Sequence, residues 1–436
     1  MKINKNYFLL TSFLLLNLTL MFVRSFTGIY LFGFRIGEFY IGFCFLVFLF
    51  ILADFVSKKY NYFKIDNQIS IILAILFFLF LVSFIDLHNF KIDPYFFRTS
   101  SYIWSISFFY LGVKFYKDTS YDKYLIYSFS FLIIFLYILI VIYRPQIFAE
   151  FFLNFSDKYE LHKGADVVLI FVLFSSIFFK KIQDSKFNLF LLIIVIGFYM
   201  PLILAISRTA FVAALLLVVF NLKRFNFLIK DKIKLFITGL LLVISFNTSL
   251  HFIGTSSVFL DDYIRNELSF SDILDYRNDK FYENKFRDEG MLPFLFINES
   301  RLYSGDGNLN WRFQIWQDVI FDVDNEAKTL LFGYGYKEII PAMTLDIERR
   351  GNDGLNENVH NYIINILARG GLVQILLFLY LNYCILRMYF SNHGNYKILI
   401  YMLPLLIVSM FDGAMENAHY SLIYYFFLGR LINIEY

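Results

Sequence analysis

Apolar residues run along most of this chain in blocks separated by short polar connections. Blocks near 7–23, 38–56, 69–87, 101–117, 124–143, 165–180, 187–206, 209–222, 233–250, 359–390, 397–411 and 418–434 approach the roughly 17 to 25 residues that cross a bilayer as a helix. Only a helix closes all backbone hydrogen bonds inside one such segment, as hydrocarbon requires. The pattern predicts an all-α polytopic membrane protein with about twelve transmembrane helices, although 209–222 and 397–411 are short for a full crossing. It divides the chain into residues 1–250 with about nine spans, one large loop at 251–358, and residues 359–436 with about three spans. The first block follows Lys2 and Lys5 without a small-residue cleavage site, so it reads as a retained span.

The loop is not a linker. It holds "LPFLF" at 292–296, glycine-bearing turns in "SGDGN" at 304–308, and two tryptophans, so it is expected to fold locally. "NWRFQIWQDVIFDV" puts Trp311, Ile315 and Val319 on one helical face and Arg312, Trp316 and Ile320 on the next. That is an amphipathic helix, and its tryptophans suit the outer membrane surface.

Composition narrows the class. A hydrophobic content of 58% with 58 phenylalanines excludes an ordinary soluble domain. Cys44 and Cys384 both lie in apolar runs, which excludes a disulfide framework or thiolate metal site. His88, His162, His251 and His393 have no metal-ligand spacing, so neither a metal nor a cofactor is expected. A net charge of +3 without a basic arm argues against nucleic acid.

Charge placement then gives sidedness. Lys2/Lys5, Lys58/Lys59/Lys64, Lys114/Lys117/Lys123, Lys180/Lys181/Lys186 and Lys223/Arg224/Lys230/Lys232/Lys234 occupy alternate connections. Such loops stay cytoplasmic. Both termini come out cytoplasmic and the large loop faces outward, with an acidic excess at "DD" 261–262 and "DVDNE" 322–326 against "ERR" at 348–350.

Polar residues that interrupt this background are the candidate chemistry. Arg208 sits in "LAISRTAFVAAL", beside Ser207 and Thr209 and following Pro201, where two spans meet in a tight outward connection. A cation there is costly unless it binds something. Arg312 lies in the loop helix, and Gly333 and Gly335 of "LLFGYGYKEIIPAM" allow close backbone approach to a ligand. His360 opens the next span, with Asn358 available as an N-cap. Glu357, Asn361, Asn365 and Arg369 recur every four residues and share one face, which must look into protein or water. Gly370–Gly371 allow a kink or close contact below. A helix N-terminus and two arginines suit a polyanion such as a diphosphate, and the same positive end favours a neutral imidazole able to act as a base. Asp412 and Glu416, between the last two spans, read as solvated loop carboxylates.

The series "SRTA" at 207–210, "RFQIW" at 312–316, "FGYGY" at 332–336 and "HNYIINILARGGL" at 360–372 resembles the signature series of the O-antigen ligase and O-antigen polymerase (Wzy) superfamily, over roughly residues 190–390. The resemblance implies a GT-C-like, inverting glycosyltransferase of the bacterial inner membrane that takes undecaprenyl-diphosphate-linked oligosaccharide as donor. It implies that Arg208 and Arg312 hold the diphosphate, that His360 sits at the acceptor hydroxyl as base or positioning group, and that a chain-length regulator is a partner. Val219 and Val323 stand where a second arginine–glycine pattern of some polymerases has glycine. The loop's acidic excess favours a polymerase with a neutral sugar acceptor over a ligase acting on anionic lipid A core. A transporter would show repeated halves with a site at mid-membrane, and a lipid-linked glycan flippase would line a central path with charge.

Overall fold

A computed structural model describes residues 12–57 apart from 14, 18, 21 and 22, then 67–84, 94–115, 122–143, 151–156 apart from 153, 163–181, 186–221, 231–267, 295–304 apart from 299, 307–343, and 358–433. A short hairpin, β1 (Tyr30–Leu31) and β2 (Phe34–Arg35), precedes helices α1 (Ile36–Ser57), α2 (Asn67–Phe84), α3 (Pro94–Thr99), α4 (Ser101–Trp104), α5 (Phe108–Phe115) and α6 (Asp122–Tyr137). Then come α7 (Gly164–Lys181), α8 (Lys186–Ile206), α9 (Arg208–Phe220) and α10 (Lys232–Glu267). Strands β3 (Leu295–Asn298) and β4 (Arg301–Ser304), α11 (Gly307–Asp324) and α12 (Ala327–Phe332) lead to α13 (Tyr362–His393), α14 (Leu399–Asp412) and α15 (Ala418–Ile432). Among the described residues four helices are long and apolar enough to cross a membrane: Ile36–Ala53, Leu189–Ile206, Lys232–Ile253 and Tyr362–His393. Six shorter apolar helices accompany them.

Two elements differ from the hydropathy pattern. The block at 101–117 arrives broken, as α4, a 3-10 turn at Ser105–Ser107 and α5. Serine is the physical reason: Ser107 Oγ donates to Trp104 O at 2.7 Å, competing with the regular ladder. The block at 233–250 continues as α10 to Glu267, because hydropathy detects the apolar part of a helix and not its polar continuation.

Contacts divide the chain into two compact units, Met1–Leu73 with Ser101–Val258 and Tyr383–Tyr436, and Ala74–Ser100 with Phe259–Asn382. In the first unit, α15 is buried on every side, as expected of a helix that is apolar all round. It crosses α5 at paired glycines. A Cβ on Gly112 would stand 2.1 Å from Phe426 O, and one on Gly429 would stand 2.0 Å from Phe109 O. Small residues at such crossings bring helix backbones into contact, which is how helices associate without a hydrophobic drive in lipid. Buried hydroxyls stitch α6, α8 and α10. Tyr137 bonds Ser249, Ser249 Oγ donates to Phe198 O at 2.8 Å, and Tyr199 donates to Ile133 O at 3.0 Å.

In the second unit, β3 and β4 pair antiparallel with Leu295 opposite Ser304, and the hairpin lies on α11. Gln317 Oε1 accepts from Leu302 N at 2.6 Å while its Nε2 donates to Leu302 O at 2.8 Å, and Arg301 forms an ion pair with Asp318. The buried face of α11 carries Ile315, Trp316, Val319 and Val323. The loop helix predicted from periodicity is present, with Ile320 of its second expected face 45% exposed.

Candidate functional site

His360 lies ahead of a helix, not in it. α13 starts at Tyr362 and is capped by Asn361, whose Oδ1 accepts from Ile363 N at 3.0 Å and Ile364 N at 3.1 Å. The cap expected of Asn358 therefore falls three residues later. His360 has φ of 56°, left-handed backbone that costs a non-glycine residue roughly 1–2 kcal/mol. Helix α11 holds it there. Trp316 Nε1 donates to Val359 O at 2.8 Å, and the Trp311 ring stands 5.2 Å from the imidazole, tilted by 55°. Arg312, between these tryptophans in sequence, is partly buried. Asn365 and Arg369 are buried below the cap, so the polar stripe faces protein. Glu357 lies outside the described residues.

The two glycine motifs meet each other. Gly333 (φ 69°) and Gly371 (φ 66°, ψ −168°) both adopt backbone that other residues resist, and Gly371 breaks α13 into two stretches. The Gly333 turn caps helix carbonyls of α13 just before this break: Tyr334 N donates to Ala368 O at 2.7 Å and Gly335 N to Arg369 O at 2.9 Å. A Cβ on Gly333 would lie 2.4 Å from Arg369 C, and one on Gly371 would lie 2.2 Å from Leu331 C. The close approach made by Gly333 is thus to the backbone of α13.

Arg369 is the pin through this crossing. It donates to Gly335 O at 3.1 Å, Glu338 O at 2.9 Å and Tyr95 Oη at 2.7 Å, and lies 5.5 Å and 6.0 Å from the centres of the Tyr95 and Tyr336 rings. Tyr334 donates to Asp322 O at 3.0 Å. Burial, then the carboxylates of Asp322 and Glu326, push its hydroxyl above the ordinary tyrosine value, so it keeps its proton at neutral pH.

Arg208 belongs to the first unit, Arg312 and His360 to the second. Ser207 is the N-cap of α9, accepting from Ala210 N at 3.3 Å, and Arg208 occupies the first helical position, exposed. The start of α7 lies against it: a Cβ on Gly164 would stand 2.7 Å from Ser207 Cβ and 3.2 Å from Ala210 Cβ. Asp412 and Glu416 are not solvated loop carboxylates. Asp412 Oδ2 accepts from Ala165 N at 3.1 Å, using its charge at the positive end of α7, and Glu416 is 8% exposed because the turn before α15 packs into the bundle.

Sequence reading missed a third group in this unit. Arg24, Asp166 and His419 come together in the interior, with His419 Nε2 at 3.3 Å from both Asp166 oxygens and Arg24 Nε at 3.8 Å from Oδ2. The available signal was an acid in the otherwise apolar "GADVVLIFVLF".

Membrane-length apolar helices and glycine-packed crossings point to an integral membrane protein, with several of its polar side chains at helix starts. The O-antigen ligase family model (Wzy_C) matches residues 189–379, a segment that contains Arg208, Arg312, Gly333, His360 and Gly371. Over this segment the chain is similar to the O-antigen ligase family. Members of the O-antigen ligase family are glycosyltransferase-like enzymes of O-antigen and lipopolysaccharide assembly. A comparison with curated proteins found no match.

Proposed function

We propose that the protein is a surface-polysaccharide polymerase of the bacterial inner membrane. It joins undecaprenyl-diphosphate-linked repeat units by inverting, metal-independent glycosyl transfer at the periplasmic face. The observation that carries the reading is the family match across 189–379, which spans all four motifs. In this reading about twelve spans and two cytoplasmic termini frame a periplasmic loop at 251–358, following the lysine pattern. Arg208 and Arg312 bind the donor diphosphate and His360 meets the acceptor, with Ser207, Gly333, Gly335, Glu357, Asn361 and Asn365 as supports. An acceptor hydroxyl attacks the anomeric carbon, the bond to the phosphate oxygen breaks, and the diphosphate leaves with the electron pair. Guanidinium groups offset the charge that grows on the leaving oxygen, the work a divalent cation performs elsewhere. A chain-length regulator is the partner this reading calls for.

The ligase reading, transfer of the glycan to lipid A core, is favoured by the family's description. The acidic segments "DD" and "DVDNE" favour the polymerase, since a bulky anionic acceptor would be repelled by them. Deleting the gene decides between them. Loss of a polymerase leaves lipopolysaccharide, or its equivalent, capped with a single repeat unit. Bare core with polymer accumulating on undecaprenyl diphosphate would identify the ligase and overturn the polymerase assignment.

A further inference from the structure

The connection between the first apolar block and α1 is a built structure. Thr27 Oγ1 donates to Arg24 O at 2.7 Å, Ile29 bridges to Ser156, and Ile36 N donates to Ile29 O at 2.8 Å. From this base β1 and β2 project as a closed hairpin, with Tyr30 opposite Arg35 and Leu31 opposite Phe34. Phe32 and Gly33 form its two-residue tip, with φ of 54° and 83°. Left-handed backbone at both positions matches the twist of the strands, and Asn, Asp or Gly ordinarily supply it because other side chains are strained there. Here a phenylalanine takes the strained position and is 95% exposed. A large apolar ring held in strain away from the protein interior asks for a partner outside the chain.

The exposed apolar surface continues from the hairpin onto α1. Tyr30, Leu31 and Phe34 are exposed beside Phe32, and the Phe34 ring stands 5.8 Å from the Phe39 ring, edge to face. From Phe39 the exposed positions run on through Phe43, Leu46 and Phe50, at intervals of four, three and four that hold one face of the helix. A membrane-length helix that turns such a face outward turns it to lipid, and α1 has that length from its first residue, Ile36. The hairpin therefore sits where hydrocarbon gives way to headgroups. Its polar atoms suit that level: Arg35 Nε donates to Tyr30 Oη at 3.2 Å, the guanidinium lies 5.7 Å from the centre of the Tyr30 ring, and Arg35 N donates to Glu38 Oε2 at 3.0 Å. Tyrosine and arginine, each with an apolar body and a polar end, are at home in the membrane interface.

We propose that the β1–β2 hairpin is an interfacial anchor that seats Phe32 among lipid acyl chains just below the headgroups, at the N-terminal end of α1. Moving the ring from water into lipid offsets the conformational cost of the left-handed turn. Lys58 and Lys59 follow the other end of α1, so on the lysine pattern the leaflet is the outer one. The anchor does not depend on the transferase reading.

The test uses the purified full-length protein in nanodiscs of phosphatidylethanolamine and phosphatidylglycerol, with a nitroxide attached at Phe32→Cys. Cys44 and Cys384 are buried and contribute little background label. Electron paramagnetic resonance measures collisions of the nitroxide with oxygen, which concentrates in lipid, and with a water-soluble nickel chelate. Phospholipids labelled at the headgroup or along the acyl chain set the depth scale. Oxygen collisions are expected to exceed nickel collisions, at a depth between the headgroup and mid-chain references. An excess of nickel collisions would place the tip in water, and few collisions with either would place it under a second copy or another protein; each result overturns the anchor. Phe32→Asn removes the ring and keeps the turn, because asparagine tolerates left-handed backbone. In that variant a nitroxide at Leu31→Cys is expected to shift toward water relative to the same label beside native Phe32, and an unchanged depth would overturn Phe32 as the anchoring residue.

Discussion

Arg208 occupies the first position of α9, where a cation meets the positive end of the helix dipole at a cost of about 0.3–1 kcal/mol. A bound polyanion turns that cost into a gain, because the same amides and the guanidinium then act on one ligand. Arg208→Ala and Arg312→Ala are therefore each expected to abolish glycan transfer at normal protein level, and Lys to rescue poorly because it lacks the bidentate fork. Transfer near wild type in either alanine variant, measured on membranes from a complemented deletion strain, would remove that residue from the diphosphate site. What was legible at this scale is what one segment carries by itself: Arg208, Arg312 and His360 stand out as polar residues in apolar or motif-bearing stretches. The cap was not legible, since Asn358 and Asn361 are equally good capping residues and the left-handed turn at His360 decides between them. Nor was the Arg24–Asp166–His419 group, because only the packing of α7 against α15 and the segment after the first block brings those side chains together.

Between elements, the crossing of the Gly333 turn with the broken α13 is the most exacting contact in the second unit. Both glycines combine left-handed backbone with neighbouring backbone atoms too close for any Cβ, so neither strain nor collision can relax without separating the hydrogen-bonded pair of segments. Gly333→Ala and Gly371→Ala are each expected to cost about 2–5 kcal/mol. Gly394 provides the comparison: its φ is 64° but nothing lies within 4 Å of an added Cβ. Gly394→Ala carries the conformational cost alone, about 1 kcal/mol. Thermal unfolding of the purified variants measures the difference, and a Gly394 variant as damaged as the other two would show that backbone strain, not the crossing, sets the effect. The sequence announced the kink through paired glycines. It did not announce the partner, because a glycine's freedom says that something approaches closely without saying what.

For the whole molecule, the lysine pattern and the proposed chemistry have to agree on sidedness. Undecaprenyl-diphosphate donors are to be consumed outside, so every proposed functional group must lie on the face opposite the lysine-bearing connections. Arg208 and Ser207 start α9 against Gly164 at the start of α7, while Lys180 and Lys181 close α7 at its other end. One helix thus packs on the start of α9 at one end and carries the cytoplasmic marker at the other, which makes α7 the ruler for topology. Its 18 residues rise roughly 27 Å, close to the thickness of the hydrocarbon core. Cysteine labelling reads both ends. The native thiols Cys44 and Cys384 are buried, so single introduced cysteines give the signal with little background. Cysteines placed in the 260–350 segment are expected to react with a membrane-impermeant maleimide added to intact cells, or to spheroplasts where an outer membrane blocks access, and those near Lys181 only after the membrane is opened. The reverse result would put Arg208 and Ser207 on the cytoplasmic side, away from a periplasmic donor, and with them the proposed reaction would fall.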